Sequence, residues 1–166
     1  MKIAGFIGVV VLVWLFCATT SAYAPVPMTY LNGAVPEQKT YNKACPFDEA
    51  GMKSCVETSF YLWRLPGDGA VTTTWKPSRS DVETVTGTLV HENSACPGSR
   101  VEWSVLADER TSGTLTDDAP KTQLAIPVKR PVPHVTLTLR RLGTATCTSA
   151  LRWTDPRLEV PFKLLP

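Results

Sequence analysis

Outside the N-terminal segment, no ten-residue stretch carries the apolar period of a helix, which argues against helical bundles and α/β folds alike. There are only two histidines, His91 and His134, in separate segments, and no CxxC pair. Zinc therefore lacks its usual ligand spacing, and a Ser/His/Asp site has little to draw on. GxSxG, P-loop and dinucleotide-binding patterns are all missing. Adjacent carboxylates occur at Asp48-Glu49 and Asp117-Asp118, but neighbours within a turn are turn formers. Glycoside hydrolysis instead needs two carboxyls facing each other across a cleft. The chain is read as a non-enzyme. No basic stripe with interleaved aromatics is present, so nucleic acid is not expected as a partner. Arg140-Arg141 and Lys129-Arg130 are short pairs at strand ends, read as solvated termini. The net charge of +2 falls to about +1 once Lys2 is set aside with the leader. Neither internal repeats nor low-complexity segments are found.

What is present begins with an apolar run from Ile3 to Ala18, preceded by Lys2 and followed by Thr19-Thr20-Ser21-Ala22-Tyr23-Ala24. This is the pattern of a secretory leader, with cuts after Ala22 or Ala24 and Pro25 disfavouring the second. The alternative is an uncleaved anchor, because Ile3 to Ala24 is about the length that spans a bilayer. Residues 1–22 are read as a signal peptide, 23–43 as a linker or edge segment, and 44–166 as one domain. A secreted or extracytoplasmic chain follows, touching membrane only if the leader stays.

Cys45, Cys55, Cys96 and Cys147 remain outside the leader, and an even count in an exported chain reads as two disulfides with three pairings open. The pairing expected is Cys45–Cys55 as a local clamp and Cys96–Cys147 as a long-range link.

Strand signals fill the rest. Arg100 to Asp108 alternates Val101, Trp103 and Val105 with Glu102 and Ser104, the period of a half-buried strand. His134 to Leu142 does the same, with threonines opposite Val135, Leu137 and Leu139. Val56–Leu65, Val71–Trp75, Val82–Glu92 and Gln123–Val128 add four more strands; Thr114–Thr116 is marginal. Leu151–Trp153 and Leu158–Phe162 are either a strand pair or one kinked strand. Gly87 inside its strand marks a bulge or a close backbone approach. About eight short strands between Gly, Pro, Asn and Asp turns predict an all-β, antiparallel β-sandwich of the jelly-roll kind. Trp63 and Trp103 are assigned to the core, with Trp103 between strands Val82–Glu92 and His134–Leu142. Core packing is also the first reading of Trp153. Trp75, at a strand end beside Lys76-Pro77, is the tryptophan expected to reach solvent.

Three stretches carry a family pattern: Val85-Thr86-Gly87-Thr88-Leu89-Val90, Val101 to Asp108, and Trp153-Thr154-Asp155-Pro156-Arg157-Leu158. Tyr41, Gly51 and Phe60-Tyr61-Leu62 extend it. From Val82 to Glu159 the sequence resembles the NPCBM/NEW2 carbohydrate-binding modules, called family 51 where binding is established. The resemblance implies a galactose-binding-like jelly roll and a glycan or cell-wall polysaccharide as partner. It departs from the family where Glu109 replaces a glycine after Asp108. The family's paired acids become Glu92 and Asn93, one carboxylate short of a good start for calcium, so no cofactor is expected. The function expected is a non-catalytic module that binds sugar through loops at one end of the sandwich. Trp75, Arg64, Glu92 and Asn93 are the ligand-binding candidates. The rival is a structural or protein-interaction module of the cell envelope, which a buried Trp75 would favour.

Overall fold

The computed structural model describes residues 23–44, 54–65, 67, 69–143 and 146–161. The leader and Cys45, with its expected link to Cys55, lie outside them. Eleven strands occur among the described residues: β1 (Tyr23–Val26), β2 (Met28–Gly33), β3 (Glu37–Ala44), β4 (Ser54–Leu65), β5 (Ala70–Pro77), β6 (Thr84–Glu92), β7 (Arg100–Leu106), β8 (Arg110–Leu115), β9 (Lys121–Pro127), β10 (Val135–Leu142) and β11 (Ser149–Pro161). They form two antiparallel sheets. Sheet A runs β3-β4-β11-β6-β9 and sheet B runs β2-β5-β10-β7-β8. β11 pairs with β4 through Ser149–Thr154 and with β1 beyond the bend, through Leu158–Pro161. The final strand is thus one strand whose register shifts between Thr154 and Arg157. The two sheets make a jelly-roll sandwich. The segment 23–43, expected as linker or edge, carries β1, β2 and most of β3, and β2 and β3 end the two sheets.

Alternation dictates what each sheet buries. Sheet A contributes Tyr61, Trp63, Leu65, Val85, Leu89, Leu151, Trp153 and Leu158; sheet B contributes Trp75, Val101, Val105, Val135, Leu137 and Leu139. Four of these rings form the centre: Tyr61 lies 5.2 Å from Trp75, and Trp75 lies 5.7 Å from Trp153 and 6.0 Å from Trp63. Two indole N–H groups of this cluster find acceptors inside the core. Trp63 Nε1 donates across the sheets to Thr73 Oγ1 at 2.9 Å, and Thr73 in turn donates to the Ala34 carbonyl. That relay explains a threonine at a buried position, where an unpaired polar group would be costly. Trp153 Nε1 donates to the Thr86 carbonyl at 3.2 Å by lying over Gly87. A Cβ on Gly87 would collide with that nitrogen and stand 2.9 Å from the Asp155 carbonyl. The glycine therefore marks a close approach.

Two sequence assignments change. Trp103 is in the core, 8 % exposed, but its strand neighbours are β10 and β8; β6 belongs to the other sheet. Strand order along the chain does not disclose which strands pair. Arg141 is not a solvated strand end. It is 1 % exposed, and its Nη1 reaches the Cys147 carbonyl and, at 3.6 Å, the Cys96 sulfur. Parity turns Arg141 inward along with Leu137 and Leu139 and leaves Arg140 outside.

The Cys96–Cys147 disulfide is present and ties the β6–β7 turn to the β10–β11 loop.

Candidate functional site

Trp75 is 1 % exposed and faces inward among Tyr61, Trp63 and Trp153. It offers no ring to a ligand, and the expectation of an exposed platform is corrected. The β5 alternation places Thr73, Trp75 and Pro77 on one buried face, and Pro77 ends the strand without turning the indole out.

The other three candidates sit around one end of sheet A. Arg64 and Glu92 both stand opposite Ala150, on either side of β11, so their main chains are about 9–10 Å apart. Arg64 donates to Glu37 Oε1 at 2.8 Å, and that carboxylate is the chief cause of its raised pKa. Glu92 is paired with Arg152, whose guanidinium also lies 4.8 Å over the Phe60 ring. Asn93 donates its amide N–H to Asp117 Oδ1 at 2.5 Å, while the Gly98 backbone N–H donates to Oδ2 at 2.7 Å. The Gly98 amide first, and Asn93 second, hold the Asp117 carboxyl below its ordinary pKa. The Asn93 amide nitrogen is thus engaged by Asp117 and the Glu92 carboxylate by a guanidinium. Among the described residues, no three His, Cys, Asp or Glu side chains group as metal ligands. Asp108, in the family pattern, is a turn lock: its Oδ2 accepts the Lys129 amide at 2.9 Å and its Oδ1 the Glu109 amide.

Ser99 Oγ meets His91 Nε2 at 3.1 Å, a serine–histidine contact. Both residues are buried, and His91 Nδ1 has no partner among the described residues. Without an orienting carboxylate on Nδ1 and without access, the pair is packing and not a nucleophile. Burial lowers the His91 pKa, with Asp117 opposing the shift.

The outer face of sheet B is different in character. Strand registers align its outward side chains into rows that cross four strands. One row is Ala70, Arg140, Glu102 and Thr114; the next is Thr72, Thr138, Ser104 and Ser112. A third holds Thr74, Thr136, Leu106 and Arg110. An open groove of about 390 Å³ lies over the first two rows, lined by Ala70, Glu102, Ser104, Ser112, Thr114, Thr138 and Arg140, with Trp103 and Gly113 at its base. That volume falls in the range of small-molecule sites, about 300–1,000 Å³. Gly113 opposes Trp103, and a Cβ there would stand 2.8 Å from the indole ring. The missing side chain lets the ring lie flat against β8.

Hydroxyls dominate this face. Thr72 bonds Thr138 at 3.2 Å and Thr74 bonds Thr136 at 3.1 Å, across neighbouring strands. One ion pair crosses the groove: Arg140 Nε and Nη2 both donate to Glu102 Oε2, at 3.0 and 2.7 Å. Alternation alone puts Glu102 and Ser104 on the polar face of one strand and Thr136 and Thr138 on that of another, without joining them. The signal was there in Glu102, Ser104, Thr136 and Thr138, which are polar at every second position; the missing fact was that β7 and β10 are neighbours.

No family model matches the chain, and no curated protein matches it. Solved structures do. The M60 catalytic domain with the CBM51-1 and CBM51-2 domains from Clostridium perfringens ZmpB is similar over 86 % of this chain, with a TM-score of 0.53 and 12 % identity. This chain spans 16 % of that one. A family 29 carbohydrate-binding module aligns over 84 % of this chain and 89 % of its own, at TM-score 0.40 and 9 % identity. TmCBM61, solved in complex with beta-1,4-galactotriose, aligns over 62 % and 70 %, at 0.34 and 12 %. At such identities the first likeness is one of fold.

Proposed function

We propose that this chain is an exported, non-catalytic binding module for carbohydrate, related to the NPCBM/NEW2 modules it resembles. The observation that carries the reading is the groove on sheet B: a shallow depression of ligand size, faced by hydroxyls and by one acid–guanidinium pair. Hydroxyls that donate and accept, beside a carboxylate and a guanidinium, match the hydrogen-bonding edges of a sugar ring. The solved structure of similar fold includes carbohydrate-binding modules, which supports the same reading. The loop end of sheet A, with Arg64, Glu92 and Asn93, is the alternative seat for the ligand.

The test is retention of the full exported protein on a panel of insoluble polysaccharides and a glycan array. Binding that falls at least tenfold in Arg140→Ala or Glu102→Ala, with Glu92→Ala unaffected, supports the groove. Retention by no glycan overturns the reading.

The rival, a protein-interaction module, is favoured by Trp75 being buried and by the β2 edge. From Met28 to Pro36 the chain carries no charged residue, and Tyr30, Leu31 and Val35 are exposed. The edge strands β3, β8 and β9 hold Lys39, Arg110 and Lys121, the kind of charge that discourages strand addition. Capture of an extended peptide by the wild type, lost in Leu31→Lys, would decide for this rival.

A further inference from the structure

The groove has a direction and a chemistry. Its lining comes from β5, β10, β7 and β8, so its long axis crosses the strands. Four strands span three inter-strand spacings of roughly 4.8 Å, or about 14 Å. Across that width the row Thr138, Ser104, Ser112 offers one hydroxyl per strand, whereas along a strand the repeat is roughly 6.8 Å. Among the described residues, the hydroxyls of Ser104, Ser112 and Thr114 make no hydrogen bond, and Arg140 Nη1 and Glu102 Oε1 make none either. Both Arg140 nitrogens that bond Glu102 fall on its Oε2, so guanidinium N–H groups and the second carboxylate oxygen, Oε1, are left over within this pair at the groove.

A guanidinium and a carboxylate on neighbouring strands can engage two hydroxyls of one sugar, one accepting from Arg140 and the other donating to Glu102. The lining carries one positive and one negative group, so it offers no net charge to attract an anionic chain. The one aromatic residue of the lining, Trp103, lies at the base and is only 8 % exposed, too little of its face for ring stacking to set the orientation.

Resting on the reading of the groove as a glycan site, we infer that its ligand is an uncharged oligosaccharide of about three rings lying across the strands, gripped at a free vicinal diol by Glu102 and Arg140. The ligand is held by its hydroxyl edges along the Thr138–Ser104–Ser112 row.

Calorimetric titration of the full exported protein tests this with manno-, cello- and galacto-oligosaccharides of increasing length, beside oligogalacturonates and samples whose vicinal diols have been opened by periodate and reduced. For the bound series, affinity should rise with length to about three rings and then level off. Opened chains should bind at least tenfold more weakly, and oligogalacturonates no better than neutral chains. Ser104→Ile raises the floor of the groove with a residue suited to strands, and Ser112→Ile does the same on the exposed edge strand. Each should lose at least tenfold while keeping the wild-type circular dichroism. Full affinity for a single ring, equal binding of opened chains, or preference for oligogalacturonates would overturn the inference. Undiminished binding by both isoleucine variants, with loss in Glu92→Ala, would move the ligand to the loop end and leave the glycan reading standing. Binding to none of the glycans would remove that reading itself.

Discussion

Trp75→Ala distinguishes a buried ring from a ligand platform. The side chain is 1 % exposed and meets Tyr61, Trp63 and Trp153 at centroid distances of 5.2, 6.0 and 5.7 Å. Truncating a buried tryptophan costs about 3–5 kcal/mol, set by how far the surroundings collapse. Three aromatic neighbours, each worth roughly 0.5–1.5 kcal/mol beyond area burial, push the cost to the upper part of that range. A domain of this kind holds only about 5–15 kcal/mol in total, so the variant should be marginal. Urea unfolding followed by circular dichroism reads the loss as a lower midpoint with an unchanged slope. Glycan affinity, measured where the variant is still folded, should stay within about twofold because the lost ring does not line the groove. A stability loss under about 1 kcal/mol, together with abolished binding, would refute the reasoning and return the ring to the ligand.

Gly87→Ala should cost on the order of 3 kcal/mol, since the new Cβ meets Trp153 and the 154–155 carbonyls at a φ of +129° that side chains rarely adopt. Gly98→Ala, at φ +77° in open space, should cost only about 1 kcal/mol, and equal urea midpoints would contradict both. The buried His91 binds its proton less readily than in the unfolded chain, so its contribution is whole above pH 6.5 and is lost as pH falls from there toward the lowered native pKa. Thermal melts between pH 7 and 5 should show this slope, and His91→Gln should flatten it; an unchanged slope would assign it to other groups. Replacing Cys96 and Cys147 by serine opens a link spanning 51 residues and should cost about 4 kcal/mol by chain entropy. A loss under about 1 kcal/mol in urea would count against the bond as a stabiliser.

Much of the core could be read from the chain because strand alternation is local. Val101, Trp103 and Val105, and Val135, Leu137 and Leu139, declare their inward face with no knowledge of partners. Arg141 shows the limit. Its place in the sequence is that of a charged strand end, yet parity sends it inside, where the disulfide and the Cys147 carbonyl receive it. Trp75 shows the same limit from the other side: Lys76-Pro77 signals a strand end, but only the packing of two sheets shows which way the indole turns.

The sequence by itself determined the all-β class, the turns, most of the buried alternation and the expectation of disulfides, since each rests on residue types a few positions apart or on a count of cysteines. Only the tertiary structure decided that β7 lies between β10 and β8, that Glu102 meets Arg140, and that hydroxyls from three strands line one groove. The reason is that strand pairing joins residues dozens of positions apart. A surface made by such pairing has no local signature, so the candidate site became visible when the sheets were assembled.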